Sequence, residues 1–186
     1  MLAVARGGVS GYGQRRYVEA VASPTSEYLM RRDYFTIEAR DLDWLSDDAE
    51  PEKPTMVITF EGPASLLEER ITGLSTELLD DSEVDVSFRY RTDVDAEDAH
   101  GVISITDRVT GDYVLELNAD SDEVQRFVRA ARTYGKRSGD ENDRYRIDLR
   151  IDGEQAVTYD KRTFLIYNRD GNLLRKHSLI PSGIEL

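Results

Sequence analysis

Apolar and polar residues alternate with a period of two along most of the chain after residue 30. The clearest case is residues 84–90, where Val84, Val86, Phe88 and Tyr90 are separated by polar residues. Alternation of this kind indicates a strand with one buried and one solvated face, which is typical of antiparallel sheets. It also predicts strands at residues 35–40, 56–60, 113–118, 145–152 and 157–159.

Turn residues between these runs predict three hairpins. Asp152-Gly153 follows the strand that ends at Ile151, and Asp170-Gly171 separates residues 163–168 from residues 172–180. Asp-Gly is a strong hairpin signal because a type I′ turn needs positive φ at both central residues. A third hairpin is predicted to turn at residues 107–112.

One long amphipathic helix is predicted over residues 121–135. Asp120 is the expected N-cap, Glu123 completes a capping-box pattern, and Gly135 is the expected C-cap. The apolar stripe of this helix recurs at i, i+3, i+4, i+7 and i+10 and comprises Val124, Phe127, Val128, Ala131 and Tyr134. A shorter helix is predicted at residues 63–71, with Pro63 first and Gly73 just past its end.

These elements predict an α+β fold. We expect about nine strands in a strongly bent antiparallel sheet or a small β-sandwich, with the helix 121–135 packed on it. Residues 46–53, 92–100 and 136–143 are predicted to be polar loops. The length of 186 residues favours one globular domain.

The charge composition describes the solvent that this protein is adapted to. The chain has 37 acidic and 24 basic residues, and only four of the basic residues are lysines. Arginine is more weakly hydrated than lysine and pairs bidentately with carboxylates. At molar salt the Debye length falls to about 3 Å, so self-repulsion largely disappears. The composition therefore predicts a halophilic protein, the alternative being an acidic protein of ordinary salt.

Residues 1–29 differ from the rest of the chain. They contain three basic and two acidic residues, whereas residues 30–186 contain 21 basic and 35 acidic residues. They also lack a sustained hydrophobic period. We expect the functional chain to begin at Met30, with residues 1–29 a non-native or disordered extension and residues 30–186 a single globular domain. The alternative is a basic tail that binds a partner.

Several kinds of chemistry are excluded or weakly supported. The chain has no cysteine, which excludes disulfides, thiolate nucleophiles and iron–sulfur clusters. An EF-hand loop starting at Asp93 would need Gly and Glu where Asp98 and Ser104 stand. In the strand predicted there, His177 and Ser178 would point to opposite faces, so no Ser–His pair is expected. Trp44 is interpreted as a packing anchor. We expect no metal, cofactor or catalytic group.

Localisation follows from two absences in the sequence. No apolar run approaches the roughly 18 residues that a transmembrane helix needs. The N-terminus also lacks the apolar core of a signal peptide. We expect a soluble, cytoplasmic protein with no membrane contact.

One local charge anomaly stands out against this acidic background. On a helical wheel, five basic residues cluster within about 140°, opposite the apolar stripe. They are Arg126, Arg129, Arg132, Lys136 and Arg137, and the cluster requires the helix to continue past Gly135. Two interpretations remain open: cations that complement the helix dipole and neighbouring carboxylates, or a face that binds an anion or a partner.

Several segments carry a family resemblance. "MRRDYFT", "DLDWL", "FEGPAS", "TDRVTGDYVLELNAD", "FVRAARTYG" and "KRTFLIYNRDGNLLRKHSLIPSGIEL" resemble an uncharacterised haloarchaeal protein family. The resemblance runs from Met30 to Leu186. It supports the halophilic interpretation and a single domain, and it implies no activity, ligand or catalytic residue.

Two hypotheses for function follow. The first is a non-enzymatic binding or protein-interaction module that docks a protein through the basic helix face. The second is a hydrolase-type enzyme whose carboxylates are brought together by folding, for which a deep pocket with two desolvated acids would be the sign. Specific nucleic-acid binding ranks third, because phosphate contacts lose affinity steeply with salt.

The charge composition generates a prediction about stability. Raising KCl from about 0.1 M to about 2 M should raise the thermal midpoint markedly, because salt screens repulsion within residues 30–186. Circular dichroism melts over this range measure the effect. A flat dependence would contradict the halophilic interpretation.

Overall fold

The computed structural model describes residues 29–46, 49–74, 76–139 and 144–183. Two short 3-10 turns, Arg32–Tyr34 and Asp43–Leu45, lie on either side of the first strand. Strands and helices in these ranges are β1 (Phe35–Arg40), β2 (Thr55–Phe60), α1 (Ala64–Thr72), β3 (Val84–Tyr90), β4 (His100–Asp107), β5 (Tyr113–Asp120), α2 (Ser121–Ser138), β6 (Tyr145–Ile151), β7 (Glu154–Lys161) and β8 (Leu165–Tyr167). The α+β class is confirmed. Residues 1–28 of the expected extension lie outside the described residues.

The strands form two four-stranded sheets, which we name sheet A (β1-β2-β6-β7) and sheet B (β5-β4-β3-β8). The prediction of antiparallel pairing is only partly correct, because β2 pairs with β6 and β3 with β8 in parallel. Alternation reports that one face is buried but not the direction of the neighbouring strand. In β2, Met56, Val57 and Ile58 are all buried, as is common in a central strand with a parallel neighbour.

The hairpins follow their turn residues to different degrees. Asp152 and Gly153 have φ of 50° and 84°, and they join β6 to β7 as a type I′ turn requires. Residues 107–112 join β4 to β5, also as predicted. At Asp170-Gly171 only the glycine has positive φ, and the pairing beyond it reduces to two isolated bridges, Tyr167 with Leu173 and Phe164 with Leu179.

The predicted strand at residues 172–180 does not form, so eight strands are seen in the described chain where about nine were expected. Residues 175–177 make a turn instead. The buried Ser178 stabilises it, because its hydroxyl accepts a hydrogen bond from the Ile166 amide at 2.8 Å and donates one to the Leu174 carbonyl at 2.9 Å. A side chain that bonds neighbouring backbone groups competes with a strand ladder.

Both helices are present. Helix α1 starts one residue later than predicted, after Pro63, and ends before Gly73 as expected. Helix α2 continues to Ser138, and its C-cap is Gly139, with φ of 73°, rather than the predicted Gly135. Gly135 stays helical and is buried. A Cβ at this position would lie 3.0–3.1 Å from atoms of the Arg144 side chain, so glycine leaves room for Arg144 to pack against the helix.

The expected capping box does not form at the start of α2. Asp120 is the N-cap residue, but its side chain makes no capping hydrogen bond. The first helical amide, that of Ser121, donates to the Ala99 carbonyl at 2.9 Å. The loop before β4 therefore satisfies the first amide of the helix, whereas the expected capping box would have bound the amide of Glu123.

A three-ring cluster joins α2 to both sheets. The Phe127 ring lies 5.4 Å from Tyr145 of β6 in an edge-to-face arrangement and 6.5 Å from Phe164, which precedes β8. Tyr145 and Phe164 are 5.9 Å apart, and all three side chains are fully buried. Such aromatic pairs contribute about 0.5–1.5 kcal/mol beyond their area burial. The two sheets and the helices thus share one hydrophobic core.

Lys161 makes a polar link between the sheets. It ends β7 in sheet A, and its ammonium group donates hydrogen bonds to the carbonyls of Asp81 and Val84 at the start of β3 in sheet B. Burial lowers the pKa of Lys161, although Asp85 and Asp81 oppose this shift. The lysine therefore holds two backbone carbonyls at a cost in desolvation.

Replacing Lys161 with Met tests this link. The variant keeps a chain of similar length but removes both donors, so we expect the free energy of unfolding to fall by about 1–3 kcal/mol. Urea unfolding measures it. The matched control is Lys176→Met, at an exposed position, which should change stability by less than about 0.5 kcal/mol. Equal stability of the two variants would contradict the link.

Candidate functional site

The outward face of α2 carries the predicted basic residues because its inward face is fully used by the core. Val124, Phe127, Val128 and Ala131 are buried, while Arg126 and Arg129 are exposed. This is the orientation that the hydrophobic period predicts.

The five basic residues do not line one continuous surface. Arg126, Arg129 and Arg132 line a single groove, whereas Arg137 turns away from it. The Arg137 guanidinium lies 5.8 Å from the centre of the Trp44 ring and donates to the Ala49 carbonyl at 3.2 Å. Lys136 is exposed and does not line the groove.

We name this feature the arginine groove and define it by Leu45, Ser46, Arg126, Arg129, Arg132 and Thr133, which enclose about 390 Å³. One wall is α2 and the other is the end of the Asp43–Leu45 turn. Trp44 fixes that turn, because its ring is buried and its Nε1 donates to the Asp41 carbonyl at 2.6 Å. Trp44 is thus a packing anchor, as interpreted from the sequence.

The three guanidinium groups of the groove have different partners. Arg132 donates to the carbonyls of Ser178 at 2.9 Å and Lys176 at 3.3 Å, so it is fixed in place. Arg126 makes a 3.7 Å ion pair with Asp43, whose side chain is fully exposed. The Arg129 guanidinium makes no hydrogen bond or ion pair with any described residue. Thr133 donates to the Arg129 carbonyl at 2.9 Å, which leaves the guanidiniums as the main donors.

An anion suits this geometry better than any other ligand. Guanidinium groups have no acceptor, and their fixed N–H forks match carboxylates and phosphates. An exposed ion pair such as Arg126–Asp43 contributes only about 0–1 kcal/mol, so a better-placed anion can displace Asp43. The groove therefore offers one preorganised, one free and one exchangeable guanidinium.

Sequence reasoning found the helix side of the groove and missed the other side. Asp43, Leu45 and Ser46 reach α2 only through the tertiary fold, across about 80 residues of chain. The one local signal was Trp44. A large aromatic residue in a polar segment indicates that the segment packs against the rest of the protein.

The other residues considered from the sequence do not come together. His100 begins β4, its Nδ1 lies 3.0 Å from the Asp98 carbonyl oxygen, and it borders a groove with Asp120 and Glu123. His177 lies in the turn at residues 175–177. Within the ranges that the structure describes, no three His, Asp or Glu side chains are placed to hold a metal ion.

The buried acids of the described chain also lie apart. Asp107, at the end of β4, accepts hydrogen bonds from the amides of Val109 and Thr110 at 2.7 and 3.2 Å. Asp148, in β6, is bound by Arg150 through one carboxylate oxygen, while its Oδ1 is buried without a partner. The two acids belong to different sheets, so they do not form the paired carboxylates that the enzyme hypothesis requires.

Comparison with known proteins adds the extent of the domain. A protein-family model matches residues 30–186. The chain belongs to a family of unknown function, DUF5793. The family covers the same residues as the resemblance seen in the sequence. No curated protein and no solved structure is detectably similar to the chain. No helix among the described residues has the length and apolar character to span a membrane.

The different partners of Arg129 and Arg132 generate a prediction. Arg132→Gln should lower the free energy of unfolding by about 1.5–3 kcal/mol, because it removes charge-assisted hydrogen bonds to two carbonyls. Arg129→Gln, which makes the same charge change three residues away, should stay within about 0.5 kcal/mol of the original. Thermal and urea unfolding measure both. If the two substitutions cost the same, the assignment of a structural role to Arg132 is wrong.

Proposed function

We propose that this domain is a non-enzymatic binding module whose arginine groove holds the carboxylates of an acidic protein segment. The observation that carries the proposal is that the Arg129 guanidinium, between Arg126 and Arg132 in the arginine groove, has no hydrogen bond or ion pair with any described residue. Residues 30–186 contain 35 acidic side chains against 21 basic ones. Arg126 and Arg132 already bind described residues, so Arg129 is the guanidinium of the groove that an incoming carboxylate can engage without displacing a partner.

The size and lining of the groove favour a short segment. A volume of about 390 Å³ is at the small end of the range for ligand sites. Leu45 gives an apolar contact beside the guanidiniums, which a side chain next to a carboxylate could cover. Bidentate pairing of arginine with carboxylate gives both affinity and orientation.

The charge of the rest of the domain supports a peptide over a polynucleotide. A long polyanion would be repelled by the net negative charge of residues 30–186. Each phosphate contact would also weaken with a log–log slope of about −0.9 in salt. A segment of a few residues engages the groove without extending far over the rest of the domain.

The proposal is tested with a fluorescently labelled Glu-rich hexapeptide and a Gln-rich peptide of the same length. The Arg126→Gln/Arg129→Gln double variant should bind the Glu peptide at least about tenfold more weakly, since about 1.4 kcal/mol is a factor of ten. Arg31→Gln/Arg169→Gln makes the same charge change at two exposed arginines elsewhere. That control should keep most of the affinity.

Fluorescence anisotropy measures these affinities, and co-purification from the native host tests the same variants on natural partners. Equal weakening in both double variants would show that only net charge matters. Unchanged binding by Arg126→Gln/Arg129→Gln would show that the groove is not the site. Either result would overturn the proposal.

A further inference from the structure

The solvent-facing side of sheet B contains a second concave feature, which we name the sheet B trough. It encloses about 300 Å³. Its lining comes from β3, β4, β5, β8 and the Asp170-Gly171 turn, and comprises Ser87, Arg89, Arg91, Val102, Ser104, Thr106, Tyr113, Glu116, Tyr167 and Gly171. The trough is separate from the arginine groove, with which it shares no residue.

The floor of the trough is buried although it faces away from the core. In the register of sheet B, Val102 lies opposite Arg89 and Ser104 opposite Ser87, on the face opposite the buried Phe88 and Ile103. Val102 is 3% exposed and Ser104 is 9% exposed. Longer side chains on both sides therefore rise above the floor and leave a space between them.

Two tyrosines supply aromatic surface to the trough. Tyr113 is about half exposed at the start of β5. Tyr167 of β8 is directly opposite Arg89 in the register, so a ring and a cation are neighbours on the same face. An exposed aromatic ring beside a guanidinium offers a stacking surface for a planar group and a charge for an anion.

The lining of the trough has a net positive charge because it contains two arginines and one carboxylate. That carboxylate, Glu116, makes a 3.0 Å ion pair with Arg32. Arg89 donates to the Arg169 carbonyl at 2.7 Å and keeps its charge. The exposed Arg91 guanidinium makes no hydrogen bond or ion pair within the described part of the chain. Serine and threonine hydroxyls on the floor add small polar groups between these cations and the rings.

We propose that the sheet B trough binds a nucleoside monophosphate, with its base stacked on Tyr167, which lies beside Arg89 in the register, and its phosphate at Arg91 and Arg89. A neutral sugar would leave the two guanidiniums without an anion. A long nucleic acid would be repelled by the net negative charge of residues 30–186. A single phosphate joined to a planar ring matches both the charge and the rings within the available volume.

The proposal is tested by titrating AMP into the full chain and following amide shifts by NMR. We expect saturable shifts on β3 and β4, at Ser87, Arg91 and Ser104. Adenosine lacks the phosphate, ribose 5-phosphate lacks the base, and inorganic phosphate lacks the base and the ribose, so each should bind at least about tenfold more weakly than AMP.

Two variants and a control complete the experiment. Arg91→Gln, at an exposed position, and Tyr167→Leu, which removes the ring beside Arg89, should each bind AMP at least about tenfold more weakly, with circular dichroism confirming that both variants are folded. Arg108→Gln, at an exposed arginine paired with Asp85 outside the trough, should bind AMP as the original does. Unsaturable shifts, shifts confined to α2, equal binding of ribose 5-phosphate, or unchanged binding by Arg91→Gln would each overturn the proposal.

Discussion

The packing of Phe127 against Tyr145 and Phe164 is the contact on which the rest of this structure depends. It brings together one residue from α2, one from sheet A and one from the segment that enters sheet B. Helix α2 cannot rotate without exposing Phe127, which is fully buried. The direction of its arginine row is thus a consequence of core packing, and the arginine groove forms where that row meets the Asp43–Leu45 turn.

Because acidic residues outnumber basic ones in this protein, the partners that each cation has are informative about its role. Arg132 and Lys161 each donate to two backbone carbonyls, and Arg137 lies over Trp44, so these three side chains hold segments of chain together. The guanidiniums of Arg91 and Arg129 have no such role among the described residues. The Arg91 and Arg129 guanidiniums each line a concave feature and bind no described residue. We therefore interpret them as binding positions rather than as part of a solvated surface.

Some features of the fold could be predicted from local sequence. The strand at Val84–Tyr90 and the helix from Ser121 follow from hydrophobic period, and the β6–β7 hairpin follows from Asp152-Gly153. Other features depend on distant residues. The parallel pairing of β2 with β6 depends on a distant strand, and the apolar run Met56–Ile58 indicates burial on both faces without identifying that partner. Helix α2 passes through Gly135 because Arg144 covers it. Ser178 replaces a predicted strand with a turn through its own hydrogen bonds.

The candidate site shows the same division. Helical spacing could place Arg126, Arg129 and Arg132 on one exposed face, but not the Ser178 carbonyl that fixes Arg132. Nor could it place Asp43 beside Arg126, because that contact depends on how the Asp43–Leu45 turn packs against α2. Local periodicity predicts which way a side chain faces, whereas its partners are set by the tertiary fold.

The most direct test of the account is anomalous diffraction from crystals of the full chain grown with selenate. Selenate is a tetrahedral oxyanion that guanidiniums bind as they bind phosphate. If the arginine groove binds an anion, an anomalous peak will lie in it, within hydrogen-bonding distance of the Arg129 guanidinium, and Asp43 will be turned away from Arg126. An arginine groove filled by a carboxylate of the chain itself, with selenate bound only elsewhere, would contradict the account.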